Sequence, residues 1–408
     1  MMSMYRRWGT TALVVATMVA TPLLAYAATG YGGRSEEVKV SAPSPGALLS
    51  ASPTAVSPLL AHAGKRYLIT YRSRGVQGEP IVVSGYALLP KGQPPKGGWP
   101  VLAWAHGTTG IADPCAPSAD FPGGPVHGYQ ELIDKALDWW LAQGYAVVAT
   151  DYQGLGTPGG HPYMNAVSQL HTVDDSVRAL HRLRPGAFSP DWLVMGHSQG
   201  GAAALEVAAH GQADVPNLKL RGAIAIAPGG YHYSAIVPYL RANPHPPVGV
   251  ALFFPILLEG AQTADPSLHV DDLVSPDMQP LMALARSRCL SEMREEVHEA
   301  PARLFKPDAD LKPLVSYLDR QALEHMSPTV PVMVIQGEAD QLVDPRGTKA
   351  WYQQTCKAGK TVFFDAVAHG SHRDALNQSP QGAKNFLAYL NGQKSMQSCA
   401  ALAPAGGH

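Results

Sequence analysis

Charge is scarce in this chain. Of 408 residues, 31 are Lys or Arg and 32 are Asp or Glu, so charged side chains make up 15% and the formal net charge is −1. No block of Lys and Arg follows the first residues, which excludes the basic footprint of a nucleic-acid partner. Cysteine is scarce too: Cys115, Cys289, Cys356 and Cys399 are the full set. No two of these are spaced as zinc ligands, and no histidine pair has ligand spacing on a helix or strand. No metal and no other cofactor is therefore expected. An uncharged, mostly apolar run at 11–24 falls short of the ~20 residues that a membrane-crossing helix needs. It follows Arg6 and Arg7 and precedes Ala25-Tyr26-Ala27, small residues at the −3 and −1 sites. Residues 1–27 thus read as a cleaved signal peptide, and the mature chain as secreted or periplasmic. The arginine pair fits a twin-arginine signal poorly. In an exported chain an even number of cysteines favours two disulfides.

What is plentiful is apolar: 46% of residues are hydrophobic, enough for a large core, with 40 glycines and 36 prolines for loops. Residues 28–60 are rich in Ala, Ser, Pro and Gly without a period and read as a linker or surface arm. Strand patterns follow at 66–71, 81–89, 101–104, 145–150, 192–195 and 222–226. Helical patterns lie at 129–143, 173–183 and 199–210. Asp174 and Asp175 are expected in the first turn of the second of these, where the helix dipole favours them. From 231 to 329 the strands stop and helical patterns take over, at 234–240, 280–285, 292–299 and 311–324. Alternation then resumes, with strands at 330–335 and 361–364 and helices at 346–356 and 381–390. This order predicts an α/β fold: a mostly parallel sheet flanked by helices, formed by 61–230 and 330–395. A helical cap is inserted after the sixth strand, over the sheet edge where ligands bind. Residues 396–408 form a tail.

The chemistry is carried by Gly196-His197-Ser198-Gln199-Gly200-Gly201, between a strand and an Ala-rich helix. This is the strand–turn–helix setting of a G-x-S-x-G nucleophile elbow, the mark of the α/β-hydrolase fold. Ser198 is the expected nucleophile. In this fold the acid and then the histidine follow along the chain. After the next-to-last strand comes Gly337-Glu338-Ala339-Asp340-Gln341-Leu342-Val343-Asp344-Pro345. Asp340 is taken as the acid, Asp344 as a helix cap and Glu338 as a solvated loop residue. After the last strand, Ala368-His369-Gly370-Ser371-His372 offers two histidines. His369, nearer the strand, is taken as the base, and His372 as a surface or capping residue. The oxyanion donors are expected to be the N–H groups of Gln199 and of Thr108 in Ala105-His106-Gly107-Thr108-Thr109-Gly110, with Thr109 as the alternative.

Four segments together resemble the secretory lipase family, secreted fungal and bacterial lipases of α/β-hydrolase fold. They are His106-Gly107-Thr108-Thr109-Gly110 with Cys115-Ala116-Pro117-Ser118; Asp151-Tyr152-Gln153-Gly154-Leu155-Gly156-Thr157; Thr172–Leu180; and the elbow. The similarity spans about 60 to 392. It implies ester hydrolysis through an acyl-enzyme, with Ser198, Asp340 and His369 as the triad and a cap that shapes an acyl pocket. The His-Gly-Thr form is nearer to bacterial members than to the fungal lipases, so ester cleavage is implied more firmly than attack on insoluble triglyceride. Expected substrates are small-molecule or lipid esters, with transient contact at a lipid interface. The apolar stretch at 248–258 suits either an acyl site or the cap's own core.

An esterase for short or aromatic acyl groups is the nearest alternative. A serine peptidase would need an acidic pair in the cap, and none stands out. A non-catalytic scaffold would have lost triad members. Four cysteines allow three pairings, and spacing cannot choose among them. Topology favours Cys115–Cys289, joining the core loop to the cap, and Cys356–Cys399, pinning the tail. The resemblance points to the same pairs.

Overall fold

The computed structural model describes residues 44–243 and 245–400. The expected signal peptide, the first part of the arm and the last eight residues lie outside the described residues. Among those described, nine strands form one sheet: β1 (Leu48–Thr54), β2 (Ala63–Arg74), β3 (Pro80–Pro90), β4 (Trp99–Ala105), β5 (Ala146–Thr150), β6 (Phe188–His197), β7 (Lys219–Ile226), β8 (Val332–Gly337) and β9 (Val362–Val367). Their order is β1-β2-β3-β5-β4-β6-β7-β8-β9. The first three pair antiparallel and β3 joins β5 antiparallel; from β5 to β9 every pairing is parallel. The parallel strands are continuous apolar runs such as Ala146–Thr150, buried throughout, because helices cover both faces.

β1 corrects the expected arm. Seven residues of that segment form an edge strand, in register from Leu48 opposite Tyr71 to Thr54 opposite Arg66. Most of its side chains face solvent, and Pro53 is tolerated at a sheet edge, so no period-2 apolar pattern marks it. The extra strand also means that the cap follows the seventh strand, not the sixth.

Helices α1 (His127–Ala142), α2 (Ala166–Leu183) and α3 (Gln199–Asp214) belong to the first part of the core. The cap holds α4 (Ile236–Ala242), α5 (Val248–Ala264), α6 (Val270–Leu273), α7 (Gln279–Ala285), α8 (Leu290–Glu296) and α9 (Lys312–Arg320). Helices α10 (Pro345–Lys357), α11 (His372–Asn377) and α12 (Ser379–Leu390) close the chain. On one face of the sheet, Val173, Val177 and Leu205 of α2 and α3 join a core that continues into the cap. On the other, Leu137 and Trp140 of α1 pack with Phe386 of α12. Both expected disulfides are present, Cys115–Cys289 and Cys356–Cys399, closing sequence separations of 174 and 43 residues. Links of this kind contribute about 2–4 kcal/mol each by restricting the unfolded chain. Among the described residues, no helix is long and apolar enough to cross a membrane.

The segment Asp151–Thr157 ties core loops together. The buried Asp151 carboxylate accepts from the Ser84 hydroxyl (2.7 Å) and the Ser118 N–H (2.9 Å). These bonds hold the middle of β3 and the end of β5 against the loop that carries Cys115.

The placement of Asp174 and Asp175 is a second correction. α2 begins at Ala166, seven residues earlier than its apolar pattern suggests, because Asn165 caps it by accepting from the Ser168 N–H (3.0 Å). Asp174 and Asp175 therefore sit mid-helix and fully buried. Asp175 is compensated: it accepts from Ser73 (2.8 Å) and pairs with Arg178. Arg74 and Arg178 also pair with Asp214, at 2.7 and 3.2 Å. Both carboxyl oxygens of Asp174 lack a hydrogen-bond partner among the described residues. Burial, then the negative charge of Asp214, raises its pKa well above the ordinary carboxylate value, against the pull of Arg178. The folded state thus keeps this proton where the unfolded chain releases it. Its stabilising share is complete below the unfolded pKa of about 3.9 and declines as pH rises toward the folded value. Asp174→Asn, which mimics the neutral acid, is expected to raise Tm by several degrees at pH 7–8 and by much less at pH 4. Paired thermal melts across that range measure the difference; a pH-independent shift contradicts it.

Candidate active site

β6 runs straight into Ser198, and α3 starts at the next residue. Ser198 itself is in the positive-φ region (φ 60°, ψ −116°), which non-glycine residues avoid. The turn forms because glycines let backbone pass on both sides. A Cβ on Gly196 would lie 2.0 Å from the Gly200 carbonyl oxygen, and one on Gly200 1.9 Å from that of Ala105. Ser198 N–H donates to Ile226 O (2.9 Å) and its carbonyl accepts from Gly229 (3.1 Å), so neighbouring β7 clamps the elbow. The side chain reaches two cavities at the carboxyl edge of the sheet.

Asp340 follows β8 as expected, and it is buried. One carboxylate oxygen accepts from the Leu342 and Val343 N–H groups (2.8 and 2.9 Å). The other accepts from Gln336 (3.0 Å) and from a histidine Nδ1 at 2.7 Å. Burial works to raise its pKa, but that histidine and the two backbone donors outweigh it and hold the carboxyl below its ordinary value. Asp344 caps α10 by accepting from the Arg346 N–H (2.9 Å), as expected. Glu338 is exposed and lies 3.6 Å from Lys349.

The histidine is His372, not His369. β9 extends to Val367, and the chain turns at once, with Gly370 N–H bonded to Val367 O. His369 takes the left-handed conformation in that turn (φ 55°), and its side chain is exposed. Ser371 then caps α11, which places His372 in its first turn, 8% exposed and against Asp340. The end of β9 at Val367 thus leaves His369 in an exposed turn, and the cap at Ser371 starts the helix that carries His372 to Asp340. With Nδ1–H donated to Asp340, the His372 Nε2 is free to accept a proton. His372 lines both cavities with Ser198.

The loop after β4 lies against the elbow: a Cβ on Gly107 would stand 3.2 Å from the Ser198 Cβ. The N–H groups of Thr108, Thr109 and Gln199 have no acceptor among the described residues, so both expected donors, and the alternative, remain available. The Thr108 hydroxyl pairs with Tyr163 OH (2.8 Å). The Gln199 amide donates to His161 Nε2 (3.1 Å), whose Nδ1–H donates to Gln153 O (2.8 Å).

Sequence reading missed one connecting chain of bonds. Gly107 N–H donates to Tyr129 OH (2.9 Å), which donates to His197 Nδ1 (2.7 Å), and His197 Nε2–H donates to His372 O (3.1 Å). Burial, helped by the charge of neighbouring His372, lowers the His197 pKa to about 3, so the ring stays neutral and can both accept and donate. This strap joins the oxyanion loop, the elbow and the histidine. His197 is the variable position of the motif and Tyr129 lies in the first turn of α1, so neither carried a readable signal.

The larger cavity, about 730 Å³, runs under the cap and is walled by Tyr163, Ile236, Val250, Phe253, Phe254 and Leu257. The stretch at 248–258 therefore serves both expected purposes: one side of α5 lines this cavity while Leu252, Ile256 and Leu258 are cap core. The second cavity, about 720 Å³, is the more polar of the two; Thr108, Tyr129, Glu292, Arg294 and Arg373 are among the residues that wall it. Among the described residues, no cluster of His, Cys, Asp or Glu is arranged to hold a metal.

The sequence model of the hydrolase family described as serine aminopeptidase, S33, matches residues 125–375, more than half of the chain. The chain belongs to this family. Solved structures similar to it share its fold. Candida antarctica lipase A in its closed state superimposes with a TM-score of 0.73 at 17% identity, covering 89% of this chain and 86% of that one. The rice cell wall degrading esterase LipA of Xanthomonas oryzae gives 0.66 at 19%, covering 86% and 100%. A putative hydrolase of Legionella pneumophila gives 0.68 at 18%, with the same coverage. No curated protein matches the sequence. The protein is thus an α/β-hydrolase.

The strap makes a testable claim about this hydrolase. Tyr129→Phe, which frees Gly107 and His197 without changing volume, is expected to lower kcat about tenfold, ~1.4 kcal/mol of barrier, with KM and Tm nearly unchanged. Steady-state kinetics beside a thermal melt measure this; a loss confined to KM or to Tm contradicts a positioning role.

Proposed function

We propose that the protein hydrolyses carboxylic esters through a triad of Ser198, His372 and Asp340. The observation that carries this is the His372–Asp340 bond of 2.7 Å, presented to the same cavities as the elbow serine. Ser198 Oγ attacks the ester carbonyl while His372 Nε2 takes its proton; Asp340 steadies the imidazolium. The oxyanion meets the N–H groups of Thr108 and Gln199 at the start of α3. The C–O bond to the alcohol then breaks, and the leaving oxygen takes the proton from His372. Water, deprotonated by the same ring, cleaves the acyl-enzyme to the acid and regenerates Ser198.

The apolar walls of the larger cavity suit the acyl chain. Both disulfides suit export to an oxidising compartment, in keeping with the signal-like N-terminus. The family's description names an aminopeptidase, whose substrate amine would need carboxylates to receive it. Of the two at the polar cavity, Glu292 accepts from the Cys289 N–H (2.8 Å) and lies 3.6 Å from Arg288, and Glu295 is exposed. That favours esters over peptides.

A fluorophosphonate probe is expected to label the wild type one to one and to leave Ser198→Ala unlabelled. On p-nitrophenyl esters from acetate to palmitate, rates should rise beyond acetate. Ser198→Ala and His372→Ala should each lower kcat by roughly 10⁴ or more, whereas His369→Ala stays within about twofold. A crippled His369→Ala beside an active His372→Ala would exchange the two histidines. Faster turnover of aminoacyl p-nitroanilides than of esters would give the peptidase reading.

A further inference from the structure

We propose that the polar cavity beside Ser198 binds an anionic group, a carboxylate or a phosphate, carried by the alcohol part of the ester and held between Arg294 and Arg373. This deepens the ester-hydrolase reading and rests on it.

Seven of the fifteen arginines among the described residues pair with carboxylates, Arg320 at 4.0 Å among them. Arg74, Arg178, Arg221, Arg286, Arg288 and Arg346 all lie within ion-pair distance of carboxylates. Among the described residues, neither Arg294 nor Arg373 has such a partner, and both line the cavity that opens on Ser198 and His372. They come from different parts of the fold, Arg294 from α8 of the cap and Arg373 from α11 of the core, directly after His372. Arg294 is half-buried and lies over the Phe253 ring, 5.7 Å from its centroid. The ring covers one face of the guanidinium and leaves its N–H edge for a ligand. Burial and then the like charge of Arg373 pull the Arg294 pKa below its ordinary value, which an anion between them would reverse.

The acidic residues nearby do not neutralise the pair. Glu292 is engaged by the Cys289 N–H and by Arg288, and Glu295 is exposed. Phe253 and Leu342 line both cavities and so stand between the apolar and the polar one. With the acyl chain in the apolar cavity, the alcohol part extends into the polar one. Planar guanidinium groups suit carboxylate and phosphate oxygens in bidentate fashion, which a hydroxyl-rich but neutral alcohol does not exploit.

The test compares butanoyl esters of 4-hydroxybenzoate, of 4-hydroxyphenyl phosphate and of methyl 4-hydroxybenzoate, with rates expressed per active site titrated by a fluorophosphonate. Titration removes any misfolded fraction from the comparison. The ratio of kcat/KM for either anionic ester over the neutral one is expected to fall about tenfold in Arg294→Gln and in Arg373→Gln. It should fall further in the double variant, recover in part with Lys, and shrink in high salt. Whichever anion loses more identifies the group the site prefers. Hydrolysis of the neutral ester with a ratio unmoved by both variants overturns the proposal and leaves the esterase reading standing. Arginine dependence confined to a monosuccinyl ester, whose charge is in the acyl part, overturns the assignment to the alcohol. Hydrolysis of none of these esters overturns the esterase reading and this proposal with it.

Discussion

Everything at the active edge depends on one backbone constraint, the positive-φ conformation of Ser198. A non-glycine residue held there costs about 1–3 kcal/mol, so the surroundings must over-determine it. They do so in two ways. Gly196 and Gly200 allow β4, β6 and α3 to meet at distances where any Cβ would overlap a carbonyl oxygen. Bonds from β7 and the loop after it then lock the serine's own N–H and C=O. The strain is absorbed at the centre of the parallel sheet, directly before the first residue of α3.

Around that point the scaffold is built from buried imidazoles that burial keeps neutral. His106 and His161 are both lowered to about 4, and His197 to about 3. A neutral ring has one donor and one acceptor, so it can pass a hydrogen bond along; a protonated ring has two donors and would break the chain. His161 links Gln153 to Gln199, and His197 links Tyr129 to the His372 carbonyl. His372, by contrast, sits against the carboxylate of Asp340. One residue type thus fills two chemical roles, separated by whether its neighbour carries charge.

The parallel sheet, the elbow, Asp340 and the cap were legible because each leaves a local mark: buried strands are apolar throughout, and a tight turn demands glycine at fixed places. What was not legible depends on partners distant in sequence. Choosing His372 over His369 requires knowing that β9 runs to Val367 and that Ser371 starts a helix. β1 escapes because an edge strand with an exposed face and Pro53 has no alternation to read. Asp174 and Asp175 looked like a helix start, since acidic residues favour that place, but Asn165 already caps the helix and α3 supplies the burial. The strap through Tyr129 joins residues 22 to 175 positions apart, and no motif encodes it.

The cap is bound to the same loop that supplies the expected oxyanion donor. On one side, Cys289 is bonded to Cys115 and Leu290 N–H donates to Thr109 O (2.8 Å), which fixes α8 to that loop. A Cβ on Gly110 would lie 2.7 Å from the Cys115 sulfur and 3.2 Å from the Cys289 Cα, so this junction needs a glycine. On the other side, α5 packs so closely that a Cβ on Gly260 would stand 2.5 Å from the Tyr163 Cβ, and Tyr163 holds the Thr108 hydroxyl. The wall of the apolar cavity and the wall of the polar cavity are therefore both referenced to residues 107–110. A shift of either cap helix would be felt at the Thr108 N–H. Contacts that a ligand makes with α5 or α8 are in this way coupled to the position of the Thr108 N–H, the kind of arrangement by which remote binding energy can be expressed in kcat as well as in KM.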